Sequence, residues 1–128
     1  MAGRRVLIVE DDEARCAWFR GRLRACQLDI TCDPAQAAAW LAEREYDLIL
    51  LDHDLRAEHY LSDERDDGRT GYAVAAWLAA RPGSQPRARI VIHSLNYAGA
   101  GRMLAALLAA GLDAECIPFP YLRGGLRF

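Results

Sequence analysis

The sequence predicts one α/β domain in which a parallel sheet of five strands is wrapped by helices on both faces. Three observations carry that prediction. Short aliphatic and β-branched runs alternate with longer stretches of helical periodicity, the pattern of successive βα units. The runs are apolar at nearly every position, as strands covered on both faces require, and three of them stop abruptly at polar or acidic residues.

The first run, Arg4-Arg5-Val6-Leu7-Ile8-Val9, ends in Glu10-Asp11-Asp12-Glu13 and reads as a central strand. From Asp12 to about Cys26, Ala14, Trp18, Phe19, Leu23 and Cys26 recur at helical spacing, with acids in the first turn where the macrodipole favours them. A second strand spans Leu28 to Cys32. Asp33-Pro34 marks a helix start, a side-chain cap followed by proline at the first helical position, and that helix runs from Ala35 to about Arg44. Leu48 to Asp52 is the third strand. His53 to Arg69 reads as a long surface loop containing Glu58, His59, Asp63, Glu64, Asp66 and Asp67, a solvated face or a lid over substrate. Gly71 to Ala80 is a helix ended by Pro82-Gly83, Arg89 to His93 a fourth strand, and Asn96 to Ala110 a helix closed by Gly111. Ala114 to Ile117 is a short fifth strand. Residues 118–128, with two prolines and Gly124-Gly125, read as an irregular tail, so the whole chain is one domain.

Composition narrows the function. The 128 residues are 52% hydrophobic, with 16 basic against 18 acidic side chains and a net charge of -2. Such a balance lacks the basic footprint of general nucleic-acid binding, and no apolar run approaches the roughly 20 residues of a membrane span. The short N-terminal apolar stretch is no secretory leader, so the expected location is cytoplasmic. All sixteen basic residues are arginine, which excludes any chemistry needing a lysine ammonium. Cys16, Cys26, Cys32 and Cys116 form no CxxC pair and are expected to be reduced, mostly buried side chains. Trp18, Trp40 and Trp77 are expected in the core.

Ligands of open parallel sheets bind beyond the carboxyl ends of the strands, where the strand order reverses. Glu10 and Asp11 end the first strand, Asp52 the third, and His93 and Ser94 the fourth, with His53 and Asp54 just past the third. With the order 2-1-3-4-5 those three strands are adjacent. Asp11 and Asp52 then share a divalent cation, or else Asp11 or Asp12 caps the first helix while Asp52 is solvated. Histidines also admit manganese or zinc beside magnesium. His53 and His93 are candidate acid and base for phosphoester opening, with a cation on Asp11, Asp52 and Asp54. The plainer alternative for His93 is a strand-end histidine bonded to backbone, facing away from Ser94. Asn96 either caps the fourth helix or touches phosphate.

Val6-Leu7-Ile8-Val9-Glu10-Asp11-Asp12, Leu48-Ile49-Leu50-Leu51-Asp52, Ile90-Val91-Ile92-His93-Ser94 and Ile117-Pro118-Phe119 resemble the four signature blocks of the response-regulator receiver superfamily. The resemblance implies a flavodoxin-like sheet, Asp11 as direct metal ligand and Glu10 as its water-mediated partner. It further implies Asp52 as phosphoacceptor, Ser94 as switch hydroxyl and the Asp54 carbonyl as remaining ligand. Receivers carry a lysine where this chain has Ile117; Arg69, Arg102 and Arg123 are the arginines considered in its place.

Leu51-Asp52-His53-Asp54-Leu55, Gly71-Tyr72-Ala73-Val74-Ala75-Ala76-Trp77-Leu78 and His93-Ser94-Leu95-Asn96 are more similar to a divergent branch, the cyclic-phosphate-processing receivers associated with RNA repair. That branch implies Mg2+- or Mn2+-dependent phosphoesterase action on a phosphate-bearing small molecule or RNA end. In this expectation Asp52, His53, His93 and Ser94 are catalytic, Glu10, Asp11, Asp52 and Asp54 hold metal, and Ser94 and Asn96 bind phosphate. The competing expectations are a phosphoacceptor of a phosphorelay and a pseudo-receiver that binds a protein partner or a second copy through the fourth helix or the tail.

Overall fold

Each apolar run forms a strand, and each periodic stretch a helix that returns the chain to the same sheet edge. The computed structural model describes residues 3–55 and 69–125; Glu58, His59, Asp63, Glu64, Asp66 and Asp67 of the expected loop lie outside them. The strands are β1 (Arg5–Val9), β2 (Gln27–Thr31), β3 (Leu48–Leu51), β4 (Arg89–Ile92) and β5 (Ala114–Cys116). The helices are α1 (Glu13–Arg22), α2 (Pro34–Glu43), α3 (Gly71–Ala80), α4 (Tyr97–Ala109) and α5 (Phe119–Gly125). All strand pairs are parallel, in the expected order β2-β1-β3-β4-β5.

Side-chain alternation divides the central strands between two cores. Leu7, Val9, Ile49, Leu51, Ile90 and Ile92 face α2, α3 and α4, where Leu41, Val74, Leu78, Met103 and Leu107 complete the packing. Val6, Ile8, Leu48, Leu50 and Val91 face the opposite way, onto Phe19 and Leu23 of α1 and Leu122 of α5. Trp40 and Trp77 pack against the first core and Trp18 against the second, all three only partly buried. Among the cysteines only Cys16 is buried: Cys26 is half-buried and Cys32 and Cys116 are exposed, all four free. The expected mostly buried set is corrected, since Cys32 follows β2 and Cys116 ends the edge strand β5.

The tail also departs from expectation. Pro118 and Pro120 bracket the first residue of α5, where a missing amide donor costs little, and Gly124-Gly125 sit at its end. These residues are the start and stop signals of one short helix, anchored by Leu122, which is 1% exposed. Side-chain caps begin the other helices: Asp12, Asp33, Thr70 and Asn96 each accept from an amide of the first turn. Asp12 therefore takes the capping role, leaving Asp11 to the strand end. Among the described residues no helix is long and apolar enough to cross a membrane.

Candidate functional site

The register of the sheet creates the site. Val9 pairs with Leu51, and Leu51 with Ile92, so Glu10, Asp52 and His93 are the next residues on three adjacent strands. Backbone bonds carry the ladder one step further, from the Asp52 amide to the Val9 carbonyl at 3.0 Å and from the His93 amide to the Leu51 carbonyl at 2.9 Å. Because Val9, Leu51 and Ile92 all face α2–α4, alternation turns the three polar side chains together toward α1 and α5. Glu10 and His93 are long enough to reach across the short Asp52 between them: His93 Nε2 lies 2.8 Å from Glu10 Oε1. One ligand atom from each of Glu10, Asp52 and His93 falls within 4.8 Å of the others, and all three residues are buried.

Arg15, in the first turn of α1, closes this cluster. Its Nε donates to Glu10 Oε1 at 2.7 Å, and its Nη2 donates to Glu10 Oε2 at 3.0 Å and to Asp52 Oδ2 at 3.4 Å. The amides of Asp11 and Asp12 also donate to Glu10 Oε2, at 3.0 and 3.2 Å. Burial alone would raise the Glu10 carboxyl, but the bonds from His93 and Arg15 hold it well below the usual glutamate range. Asp52 moves the other way: burial first, and then the neighbouring Glu10 charge, push it up to about 8. Asp11 is raised by burial and by Glu10. The cluster thus holds more negative charge than its surroundings neutralise, and a proton on Asp52 settles the difference near neutral pH.

The cluster opens into a cleft of about 300 Å³ lined by Arg15, Asp52, Asp54, His93, Ser94, Leu95, Asn96 and Phe119. His93 and Ser94 both line it, and the His93 ring bonds to the Glu10 carboxylate rather than to backbone. His93 Nδ1 and Asp11 Oδ1 are buried with no hydrogen-bond partner among the described residues. Asp11 is only half-buried, and it neither lines the cleft nor belongs to the Glu10–Asp52–His93 trio.

His53 follows Asp52 and so points to the other face. Its ring packs on α4 so tightly that a Cβ at Gly99 would lie 2.6 Å from His53 Cδ2, and it is not part of the cleft lining. Its Nδ1 is 2.8 Å from Asp54 Oδ1, while its amide donates to Asp52 Oδ1 at 2.9 Å. Asn96 takes the capping role: Oδ1 caps α4 through the Gly99 amide at 2.9 Å, while Nδ2 lies 3.4 Å from both Asp54 carboxylate oxygens. Gly71 lets α3 start against the end of β3, since a Cβ there would overlap the Asp52 carbonyl oxygen.

None of the arginines considered for the lysine position, Arg69, Arg102 or Arg123, lines the cleft; Arg15 does. The sequence carries a faint signal for it. A basic residue at the third helical position opposes the macrodipole, and it stands five positions after the strand-end Glu10. Phe119 is likewise a lining residue that sequence reasoning does not reach, because the tail offers no periodicity from which to place it.

A five-stranded parallel sheet of this order, with acidic residues at the ends of β1 and β3, defines a receiver-fold domain. The family model for the cyclic-phosphate-processing receiver domain matches residues 6–109, and the chain belongs to that family. No curated protein sequence matches it. Solved structures show the same fold. The receiver domain of a sensor histidine kinase from Pseudomonas aeruginosa PAO1, with a magnesium ion in its active-site cleft, is 23% identical at a TM-score of 0.67, covering 96% of this chain and 90% of that one. A receiver domain from Methylobacillus flagellatus is 22% identical at a TM-score of 0.64, over 93% and 88% of the two chains. A response regulator from Thermotoga maritima, in complex with Mg2+ and BeF, is 17% identical at 0.63, over 90% and 85%.

Proposed function

We propose that this domain is a phosphoesterase that opens or removes a cyclic or terminal phosphate on a small molecule or RNA end, using Mg2+ or Mn2+. The observation that carries the proposal is the convergence of Glu10, Asp52 and His93 within 4.8 Å, beside Arg15 and with Asp52 and His93 lining the cleft. The donor set fits the ion. Two carboxylates suit magnesium and manganese alike, while Asp11 Oδ1 remains a buried acceptor with no partner among the described residues. When bound, the cation supplies positive charge to non-bridging phosphoryl oxygens.

The chain's own groups account for the rest. Arg15 presents a planar fork that can pass from Glu10 and Asp52 to two phosphoryl oxygens, standing in for the absent lysine. His93 is placed to move a proton: one ring nitrogen is held by Glu10, while the other has no partner among the described residues. The Ser94 hydroxyl and Asn96 amide complete the polar wall. His53 acts as a positioning residue, fixing Asp52 through its amide and Asp54 through its ring.

Hydrolysis of adenosine 2′,3′-cyclic phosphate, followed by chromatographic separation of the two monophosphate isomers, tests this reading. Wild type should turn over with Mg2+ or Mn2+ and stop with chelator, and His93→Gln should fall at least roughly 100-fold. Equal turnover in wild type and Asp52→Ala, or none with either metal, contradicts it. A phosphoacceptor role is the second reading, favoured by the buried carboxyl of Asp52 just past β3 in a fold whose neighbours include receivers with bound magnesium. It predicts a gain of phosphate mass at Asp52 from a small phosphodonor.

A further inference from the structure

We propose, resting on the phosphoesterase reading, that a groove between α1 and α5 is a nucleobase subsite, so that the substrate is a nucleotide end. The groove encloses about 210 Å³ and is lined by Ala14, Arg15, Trp18, Phe119 and Arg123. It adjoins the cleft, because Arg15 and Phe119 line both. Outward from Asp52 the wall presents a cation, two aromatic rings and a second cation.

The rings are held for such a role. Trp18 and Phe119 meet edge-on, with centroids 5.4 Å apart and planes at 85°, and Phe119 is braced from beneath by Phe19 at 5.6 Å. Both groove rings are half-buried at the periphery of the second core. The Arg15 guanidinium carbon lies 6.0 Å from the Phe119 centroid. Arg123 is exposed and makes no ion pair among the described residues.

Aromatic faces flanked by arginine stack any nucleobase without reading its edges; Arg15 meets the phosphate, and Arg123 at the far end meets the base. The volume admits one flat heterocycle and no run of bases. That agrees with a chain of net charge -2, which lacks the basic track of a long nucleic-acid binder. A phosphate on Arg15 and Ser94 would then leave its sugar beside Phe119 and its base against Trp18.

The test uses the full chain with 5-fluorotryptophan at Trp18, Trp40 and Trp77, in Mg2+, with the Trp18 fluorine resonance assigned from Trp18→Phe. Adenosine 2′-monophosphate, adenosine 3′-monophosphate and inorganic phosphate are titrated in turn. A nucleotide should shift the Trp18 resonance and leave Trp40 and Trp77 in place, while inorganic phosphate moves none. Stacking should give the nucleotide a roughly tenfold advantage in Kd over inorganic phosphate. The exposed Arg123→Gln, which leaves the core untouched, should weaken nucleotide binding about threefold without affecting inorganic phosphate. Nucleotide binding without a Trp18 shift, equal affinity for inorganic phosphate, or no nucleotide binding overturns the subsite. Hydrolysis without the Trp18 shift removes only the subsite. The shift without hydrolysis removes the phosphoesterase reading and keeps a nucleotide groove.

Discussion

Asp52→Asn is expected to abolish turnover and, in chelator, to make the protein more stable at pH 8 than wild type. The physical reason is the crowding of like charges. Asp52 is 4% exposed, between Glu10 and His93, and its carboxyl is pushed up to about 8 by burial and by Glu10. Between roughly pH 4, where an unfolded aspartate titrates, and about 8 the folded chain holds one proton more than the unfolded chain. Stability from this group therefore falls as pH rises through that window, because the unfolded chain gives up a proton that the folded chain keeps. Glu10 works in the opposite sense, because its depressed carboxyl stabilises the fold above the usual glutamate range and loses that contribution in strong acid. Asparagine keeps the shape and an acceptor for the His53 amide while removing the charge. Urea midpoints from pH 5 to 8.5 check this: the wild-type decline should flatten in Asp52→Asn, and parallel declines would contradict it.

Arg15→Gln is expected to lower turnover by about 10²–10³, the usual cost of removing a preorganised group that meets developing charge. It should also cost about 2 kcal/mol of stability, because the Glu10 side chain, 0% exposed, loses its two guanidinium bonds. The exposed flank of Arg15 keeps that cost below the figure for a fully buried pair. Arg15→Lys restores the charge without the fork and should recover only part of the turnover. Steady-state kinetics together with urea midpoints separate the two effects. A kcat loss much larger than the stability loss predicts is the signature of phosphate contact, and unchanged kcat in Arg15→Gln would remove Arg15 from the mechanism.

Most of this arrangement is legible in the amino-acid sequence, for reasons that particular residues make plain. The continuous apolarity of Val6–Val9, Leu48–Leu51 and Ile90–Ile92 sets three buried strands, and parallel topology forces their polar ends to one edge. Glu10, Asp52, Asp54, His93, Ser94 and Asn96 all gather there. What a linear sequence does not disclose is direction. Alternation puts His53 on the face opposite Asp52, so its ring lies against Gly99 instead of lining the cleft. Helix periodicity marks Arg15 only as a polar position between core residues, and the prolines and glycines of α5 conceal a short helix by acting as its boundaries. The 2.8 Å link between His93 and Glu10 depends on side-chain length across a register that only strand pairing supplies.

The central claim is that a divalent ion takes the place of the proton on Asp52. Calorimetric titration of Mg2+ and Mn2+ into the chelator-treated protein at pH 7 and pH 8.5 measures it directly. One ion should bind per chain, with release of protons at pH 7 that diminishes at pH 8.5, and Asp52→Asn should lose the binding. Absence of binding in wild type, or an equal Kd in Asp52→Asn, would contradict the account.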